Sequence, residues 1–131
     1  MIEEIPNIKT NGFKVFAKSI YVPELSNLKK SEYFFAYLIR IANESDMPAT
    51  LMRRYWEITN SFGEKQIVKG DGVIGEQPTI RPGKYHSYSS YCPLNTPYGF
   101  MNGHYEMENE NGDTFNIKVP SFKLITPGSI N

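Results

Sequence analysis

The chain has 131 residues and a mass of 15.0 kDa, with 14 basic and 14 acidic side chains. This length predicts one domain, over residues 1–131, that buries a hydrophobic core without disulfide bonds or a structural metal, and we expect mobile ends over about residues 1–11 and 126–131. The formal net charge of zero argues against a nucleic-acid partner, because binding to phosphates requires a basic surface.

The first predicted strands follow from alternating apolar residues, which is the period of an extended chain. Residues 13–22 and 33–42 show this alternation, and the second segment is apolar on both faces, so we expect both of its faces to be largely covered. Residues 51–59 are a third strand. A turn at Asn60-Ser61-Phe62-Gly63 then leads to a short hairpin partner at residues 66–69, because Asn, Ser and Gly favour turn geometry.

The C-terminal half continues the strand pattern. Residues 85–91 alternate, and residues 103–108 and 115–119 flank Asn111-Gly112, a dipeptide that strongly favours a hairpin turn. Pro120 fits an edge position or a bulge, since it lacks a backbone donor. About seven short strands without helical periodicity predict an all-β fold, an antiparallel β-sandwich. The predicted structural core is formed by Phe35, Tyr37, Ile39, Trp56, Ile58, Tyr105, Phe115 and Ile117.

The string from Gly70 to Gly75 matches the GxGxxG pattern of dinucleotide-binding proteins. The helix that should follow is absent from the sequence pattern, because prolines come soon after and no acidic residue lies about 20 positions downstream. A glycine loop between strands is therefore the favoured interpretation. A backbone anion site stays open as an alternative, with Gly70, Gly72 and Gly75 supplying amides and Lys69 and Arg81 supplying charge to pyrophosphate.

A second ligand hypothesis concerns His104, Glu106 and Glu108. Their spacing of two places all three on one face of a strand, where an imidazole and two carboxylates could meet a divalent cation. The alternative is that they form the solvent face of that strand. No cofactor is expected, and pyrophosphate and a divalent cation are the two candidates that remain.

The residue pattern predicts no catalytic residues and hence no enzyme. Cys92 and the serines near His86 lack the surroundings of an activated nucleophile. In Arg53-Arg54-Tyr55-Trp56 cations alternate with aromatic residues, and we expect Trp56 in the core with Arg54 stacked on it or ion-paired.

The compartment follows from what the sequence lacks. Cys92 is the single cysteine, so no intrachain disulfide can form. The N-terminal residues begin acidic, without the basic start and apolar run of a secretory signal. The longest apolar run, residues 33–39, is far shorter than the roughly 20 residues of a membrane-spanning helix. We expect a cytoplasmic protein without membrane insertion.

The ordered motifs resemble the ApaG family over almost the whole chain. The resemblance rests on Tyr33-Phe34-Phe35-Ala36-Tyr37, on Leu51-Met52-Arg53-Arg54-Tyr55-Trp56-Glu57-Ile58 and, most specifically, on Gly70-Asp71-Gly72-Val73-Ile74-Gly75-Glu76-Gln77-Pro78. It implies a fibronectin type III-like, immunoglobulin-like sandwich in a protein linked to cobalt resistance and magnesium efflux. The family commonly has a histidine where this chain has Tyr55.

The resemblance favours a protein-interaction module over a catalyst. Aromatic residues in a loop are effective interface anchors, and the predicted surface comprises Tyr91, Tyr98, Phe100 and Met101 around Pro93, Pro97 and Gly99. The expected partner is a protein of unknown identity or a second copy of this chain, bound at this loop or along an exposed sheet edge. Binding of pyrophosphate, a nucleotide or a divalent cation is the alternative function.

Overall fold

The structure, a computed structural model, describes residues 5–128 as an antiparallel β-sandwich of nine strands. The strands are β1 (Asn7–Thr10), β2 (Phe13–Tyr21), β3 (Tyr33–Asn43), β4 (Ala49–Asn60), β5 (Lys65–Asp71), β6 (Thr79–Ile80), β7 (Tyr85–Leu94), β8 (Tyr98–Asn109) and β9 (Thr114–Ile125). Two single-turn 3-10 helices, Pro23–Leu25 and Leu28–Lys30, lie between β2 and β3. In the described part of the chain no helix is long and apolar enough to cross a membrane.

The strands form two sheets. The four-stranded sheet has the order β1-β2-β3-β7, and the five-stranded sheet has the order β5-β4-β8-β9 with β6 paired to the start of β4. All strand pairs are antiparallel. In each sheet, alternate side chains point inward to a shared core or outward to solvent, as the pleat of a strand requires.

The structure has nine strands, two more than the approximately seven predicted from the sequence, and some strands are longer than predicted. The two added strands are short: β1 lies within the segment expected to be a mobile N-terminus and pairs with β2, and β6 has two residues. Strands β7 and β8 also extend through most of the region predicted as a loop, leaving a connection at residues 95–97. The expected mobility of residues 1–4 and 129–131 lies outside the described residues.

The core between the sheets is rich in aromatic residues. The predicted core residues are buried, except that Phe115 is partly buried and packs against the others. Trp56 lies near the centre, with its ring centroid 5.5 Å from that of Tyr37, 6.1 Å from Tyr105 and 6.0 Å from Phe122. These edge-to-face contacts join β3, β4, β8 and β9.

Bulges decide which residues reach this core. The pairing of β4 with β8 shifts register between Leu51 and Arg53, and the pairing of β8 with β9 shifts between Met101 and Gly103. The first bulge moves Leu51 into the core on the same side as Trp56. A strict alternation from Trp56 would point Leu51 outward, so the bulge is what brings Leu51 into the core.

Candidate functional site

The glycine-rich segment forms the end of β5 and a tight turn. Ile74 and Gly75 both have positive φ, 48° and 73°, as a type I′ turn requires. The N–H of Val73 donates to the carbonyl of Glu76 at 2.8 Å, and the N–H of Glu76 donates back to Val73 at 3.0 Å. The amides of Val73 and Glu76 are thus used within the turn.

Gly72 is required for a close approach of two backbone segments. A Cβ atom at Gly72 would lie 2.1 Å from the carbonyl oxygen of Glu76, and the Gly72 N–H donates to the carbonyl of Met52 at 2.9 Å. Gly70 lies under the guanidinium of Arg54, whose Nη2 is 3.0 Å from the position of a Cβ. Packing against Met52, Arg54 and Glu76 therefore accounts for both glycines.

The two cations assigned to the anion site lie apart. Lys69 pairs with Tyr55 in the middle of β4, whereas Arg81 follows β6, which pairs with Ala49 and Thr50 at the start of β4. The structure therefore does not bring Lys69 and Arg81 together around the glycine turn.

Arg54 holds the glycine-rich segment from inside the sandwich. Its Nη1 donates to the carbonyl of Asp71 at 2.9 Å and to that of Gly72 at 3.0 Å. Arg54 has neither a carboxylate partner nor an aromatic ring beneath its guanidinium among residues 5–128. The expectation that Arg54 stacks on Trp56 or forms an ion pair is therefore wrong, because its guanidinium donates hydrogen bonds to backbone carbonyl groups instead.

His104, Glu106 and Glu108 share the outward face of β8, as their spacing predicted. His104 stacks on Tyr55 with ring centroids 4.8 Å apart. Glu106 Oε2 lies 3.7 Å from Nη1 of Arg53, whose Nε is also 3.6 Å from Asp71. Within the described residues, no three His, Cys, Asp or Glu side chains converge to hold a metal ion.

A surface groove of about 450 Å³ lies over these residues on the five-stranded sheet. It is lined by Arg53, Tyr55, Lys69, His104 and Glu106, among others. Both basic and acidic side chains line it, and Arg53 pairs with the carboxylates of Asp71 and Glu106. The groove therefore presents no field of one sign to attract a charged ligand.

Buried hydroxyl groups and a thiol lie between the sheets near β7. The hydroxyl groups of Tyr88 and Tyr105 are 2.5 Å apart, and Tyr37 interacts with the hydroxyl of Ser90. Desolvation by burial raises the pKa of Tyr37, Tyr88 and Tyr105. Burial also raises the pKa of Cys92 to about 12, so its thiol stays protonated at neutral pH rather than forming a nucleophilic thiolate.

Part of the outward face of the four-stranded sheet is apolar. Ile20, Leu38 and Tyr91 are 54%, 39% and 60% exposed, and the ring of Tyr91 lies 5.7 Å from that of Phe34. Ala36 pairs with both Ile20 and Tyr91, and Leu38, two residues along β3, pairs with Lys18 and Ser89. We call the surface formed by Ile20, Phe34, Ala36, Leu38 and Tyr91 the apolar face.

The apolar face corrects the expectation that both sides of β3 are covered. The inward side of β3 is buried, but Leu38 on the outward side is 39% exposed and lines an open groove with Ile5 and Phe16. The sequence carried a signal for this surface, because a strand with two apolar sides needs two partners and a two-layer sandwich supplies one.

The charged residues on the outward strand positions around the apolar face are all basic. On the outward positions of the four strands lie Lys9, Lys14, Lys18 and Arg40, with no acidic residue among them. Lys14 lies 5.3 Å from the ring centroid of Phe16, and Arg40 lies 4.3 Å from that of Tyr85. Lys9 alone among the four basic residues pairs with a carboxylate within residues 5–128, that of Glu44 at the sheet margin, at 3.2 Å. The face thus combines apolar area with positive charge.

The structure separates the residues predicted to form one interaction loop. Tyr91 belongs to the apolar face, whereas Tyr98 and Phe100 point outward from β8 on the opposite sheet. Met101 is buried in the core, which excludes it from any exposed surface and corrects that part of the prediction. The assignment failed because these residues alternate along strands instead of clustering in a loop.

Comparisons with known proteins agree on one family. A family model described as the ApaG domain matches residues 23–109. Protein ApaG from Agrobacterium fabrum is 47% identical over 119 residues, covering 91% of this chain and 92% of the relative. Protein ApaG from Bdellovibrio bacteriovorus is 46% identical and covers 88% of this chain and 91% of the relative. A crystal structure of a Bordetella pertussis protein superposes with a TM-score of 0.85 at 39% identity, covering 95% of this chain and 98% of that one.

Proposed function

The chain belongs to the ApaG family, and from this premise we propose that it is a non-catalytic domain that binds another protein through the apolar face of its four-stranded sheet. The observation that carries the proposal is the exposure of Ile20, Leu38 and Tyr91 around Ala36 on that face. Ile20 and Tyr91 are the cross-strand partners of Ala36, and Leu38 lies two residues from it along β3. Contiguous exposed apolar side chains are costly in water and mark sites where another surface binds.

The surrounding charges define the partner's chemistry. Lys14, Lys18 and Arg40 flank the apolar residues, and no acidic side chain on the outward positions neutralises them. A partner that presents apolar residues flanked by Asp or Glu would bury the centre and pair with the rim. We therefore propose an acidic protein surface with an apolar centre as the partner.

Site-specific photo-crosslinking tests this proposal in cells. A photoreactive phenylalanine analogue replaces Leu38 on the apolar face or, as a matched control, Ile67 on the outward face of the five-stranded sheet, which is 46% exposed. We expect protein adducts from position 38 and few from position 67. Adding Lys18→Glu to the position-38 variant should reduce the adduct yield, since it reverses a charge on the rim.

Equal adduct yields at positions 38 and 67 would contradict the proposal. A complete absence of adducts at position 38 would also contradict it. Urea unfolding of each variant serves as the control for folding. Both side chains are exposed on strands, so their replacement should change stability by no more than about 0.5 kcal/mol.

Small-ligand binding remains the competing function, through the Gly70–Gly75 turn for pyrophosphate or the His104 face for a cation. Against it stand the hydrogen bonds that use the Gly72, Val73 and Glu76 amides and the ion pair of Glu106 with Arg53. An amide NMR titration with magnesium, cobalt and pyrophosphate separates the two functions. Saturable shifts at Gly72 or His104 would establish the competing function and weaken ours.

We also propose that the link to cobalt resistance and magnesium efflux, implied by the family resemblance, runs through protein binding and not through an ion held by this chain. The test is the cobalt sensitivity of cells that lack the protein and carry one variant. Leu38→Asp should fail to restore growth, whereas His104→Ala should restore it. The opposite pattern would assign the process to an ion site at His104.

A further inference from the structure

Within residues 5–128 the two sheets have four outer edges, and three of them are protected against pairing with another strand. Strand β1 has four residues and carries Lys9. Strand β5 carries Lys65, Lys69 and Asp71 within seven residues. Short length and charged side chains are the usual means by which edges avoid pairing.

The edge strand β9 is protected by capping. Its backbone groups are bonded by side chains from the β1–β2 region: Asn11 Nδ2 donates to the carbonyl of Asn116 at 2.7 Å, and Ser19 Oγ donates to that of Lys123 at 2.5 Å. Pro120 further removes one backbone donor from this strand.

Strand β7 is the exception. It extends over ten residues, Tyr85–Leu94, without a Lys, Arg, Asp or Glu, and its one proline, Pro93, lies near its end. One side of β7 pairs with β3 along its whole length, and no strand within residues 5–128 pairs with its other side, which is an edge of the four-stranded sheet. A long, uncharged edge presents a row of backbone donors and acceptors to a further strand.

The first seven residues of β7, 85–91, are nearly palindromic about Tyr88. Tyr85 and Tyr91 lie three residues on either side, and Ser87 and Ser89 lie one residue on either side. Within residues 85–91 only His86 and Ser90 break the symmetry, and Cys92, Pro93 and Leu94 lie beyond it. In antiparallel pairing of two identical strands about a two-fold axis at Tyr88, Tyr85 lies opposite Tyr91 of the other copy and Ser87 opposite Ser89.

We propose that two copies of this chain pair antiparallel along β7, about a two-fold axis at Tyr88. The occupant of the edge is a second copy because the palindrome makes β7 complementary to itself. Tyr85 and Tyr91 are both largely exposed on the outward side, where each would gain a cross-strand aromatic neighbour. Four strands from each copy then form one continuous sheet of eight.

The dimer sets two copies of the apolar face side by side on one sheet. Ser87 and Ser89 sit between them, both exposed and pointing outward. Dimer formation goes beyond the proposed function and does not depend on what the apolar face binds.

Charge substitutions at Ser87 and Ser89 test both the edge and its register. In Ser87→Glu/Ser89→Glu, each Glu faces a Glu of the other copy, and in Ser87→Glu/Ser89→Lys each Glu faces a Lys. Within one chain Ser87 lies beside Arg40 and Ser89 beside Leu38, so Glu at position 87 also has a basic neighbour. Sedimentation equilibrium over a concentration series measures the dissociation constant of each full-length variant.

We expect wild-type protein to dimerise reversibly. The Glu/Glu variant should raise the dissociation constant at least about tenfold, because two like-charged cross-strand pairs replace two neutral ones, and the Glu/Lys variant should restore the wild-type value. Hydrogen exchange should show that dimer formation protects the outward-bonding amides of β7 but not those of β5.

A wild-type chain that stays monomeric across the series overturns the inference, and so does a dimer that responds equally to both double variants. Urea unfolding shows whether each variant remains folded. If the chain is monomeric while Leu38 still crosslinks to another protein, the dimer is excluded and the proposed function stands. If the dimer forms and Leu38 gives no adducts, the dimer is established and the proposed function is excluded.

Discussion

The two lateral sides of the sandwich are closed by different chemistry. On one side, β1 and β2 approach β9, and side chains such as Asn11 and Ser19 bond directly to backbone groups of β9. On the other side, β5 and β7 end their sheets, and the space between the sheets holds Arg54 and buried hydroxyl groups. We call these the capped side and the open side.

The difference shows how one fold can protect the strand edges on one side and leave a strand edge accessible to a partner on the other. The capped side removes the free edge of β9, so a further strand has little to bond there. On the open side the outer edge of β7 has no partner strand within residues 5–128. Tyr37, Tyr88 and Tyr105 support β7 from inside the sandwich, and their hydroxyl groups are costly to ionise or to leave without partners. Stability at the open side should therefore respond to pH and to loss of single hydroxyl groups.

The largest expected effect lies where the two sides meet, at Trp56. Trp56→Ala removes a buried ring that contacts β3, β8 and β9, and we expect a loss of about 3–5 kcal/mol in the free energy of unfolding. Trp56→Phe is the matched control. Because the indole Nε1 has no hydrogen-bond partner among the described residues, this variant should lose much less. Urea unfolding measures the free energy of unfolding of both variants. Equal losses would indicate that the indole Nε1 donates a hydrogen bond in the folded protein.

The next largest effect separates Tyr88 from Tyr105 on the open side. Tyr88→Phe leaves the fully buried Tyr105 hydroxyl without its partner, which should cost about 1–3 kcal/mol. Tyr105→Phe should cost less, since Tyr88 is nearer to solvent. The double variant should be more stable than the sum of the single losses indicates, and a double-mutant cycle measures the coupling. Strict additivity would mean that the two hydroxyl groups do not interact.

The open side should also weaken at high pH. Cys92 has a folded-state pKa of about 12 against 9.0 for an ordinary thiol, so the unfolded chain loses this proton first and stability falls as pH rises above about 9. Its contribution is intact at pH 8 and lowered by about 1.4 kcal/mol at pH 10. Cys92→Ala should therefore lose about that much less than wild type between these two pH values. An identical pH dependence would show that the thiol is not desolvated.

The sequence predicted much of this architecture because alternation and turns are local signals. The Asn111-Gly112 hairpin and the strands around Trp56 appear where the pattern placed them. Strand β1 was missed because it has four residues and only Ile8 is apolar, so its pairing with β2 decides its structure. The bulge beside Leu51 could not be predicted from the sequence either, because the register of a strand depends on its partner strand.

The candidate site was harder to predict than the fold. The apolar face depends on which sheet covers β3, and that is a property of the whole topology. The sequence showed Leu38 as one of many alternating apolar residues, and its exposure follows only once β2 and β7 are placed beside β3. By contrast, His104 and Glu106 do share a face as predicted. In β4, however, Tyr55 stacks on His104 and Arg53 forms an ion pair with Glu106.

The smallest expected effect is on the capped side. Ser19→Ala removes the hydrogen bond to the carbonyl of Lys123, and since water can replace it at this exposed position we expect a loss near 0.5 kcal/mol, at the lower end for a neutral bond. The loss should be the same at pH 8 and pH 10, because no titrating group takes part. Ser89→Ala on β7 is the control and should be neutral within the error of urea unfolding, since Ser89 points to solvent. If Ser19→Ala became more costly at high pH, the capped side would share the chemistry of the open side, and the contrast between the two would be lost.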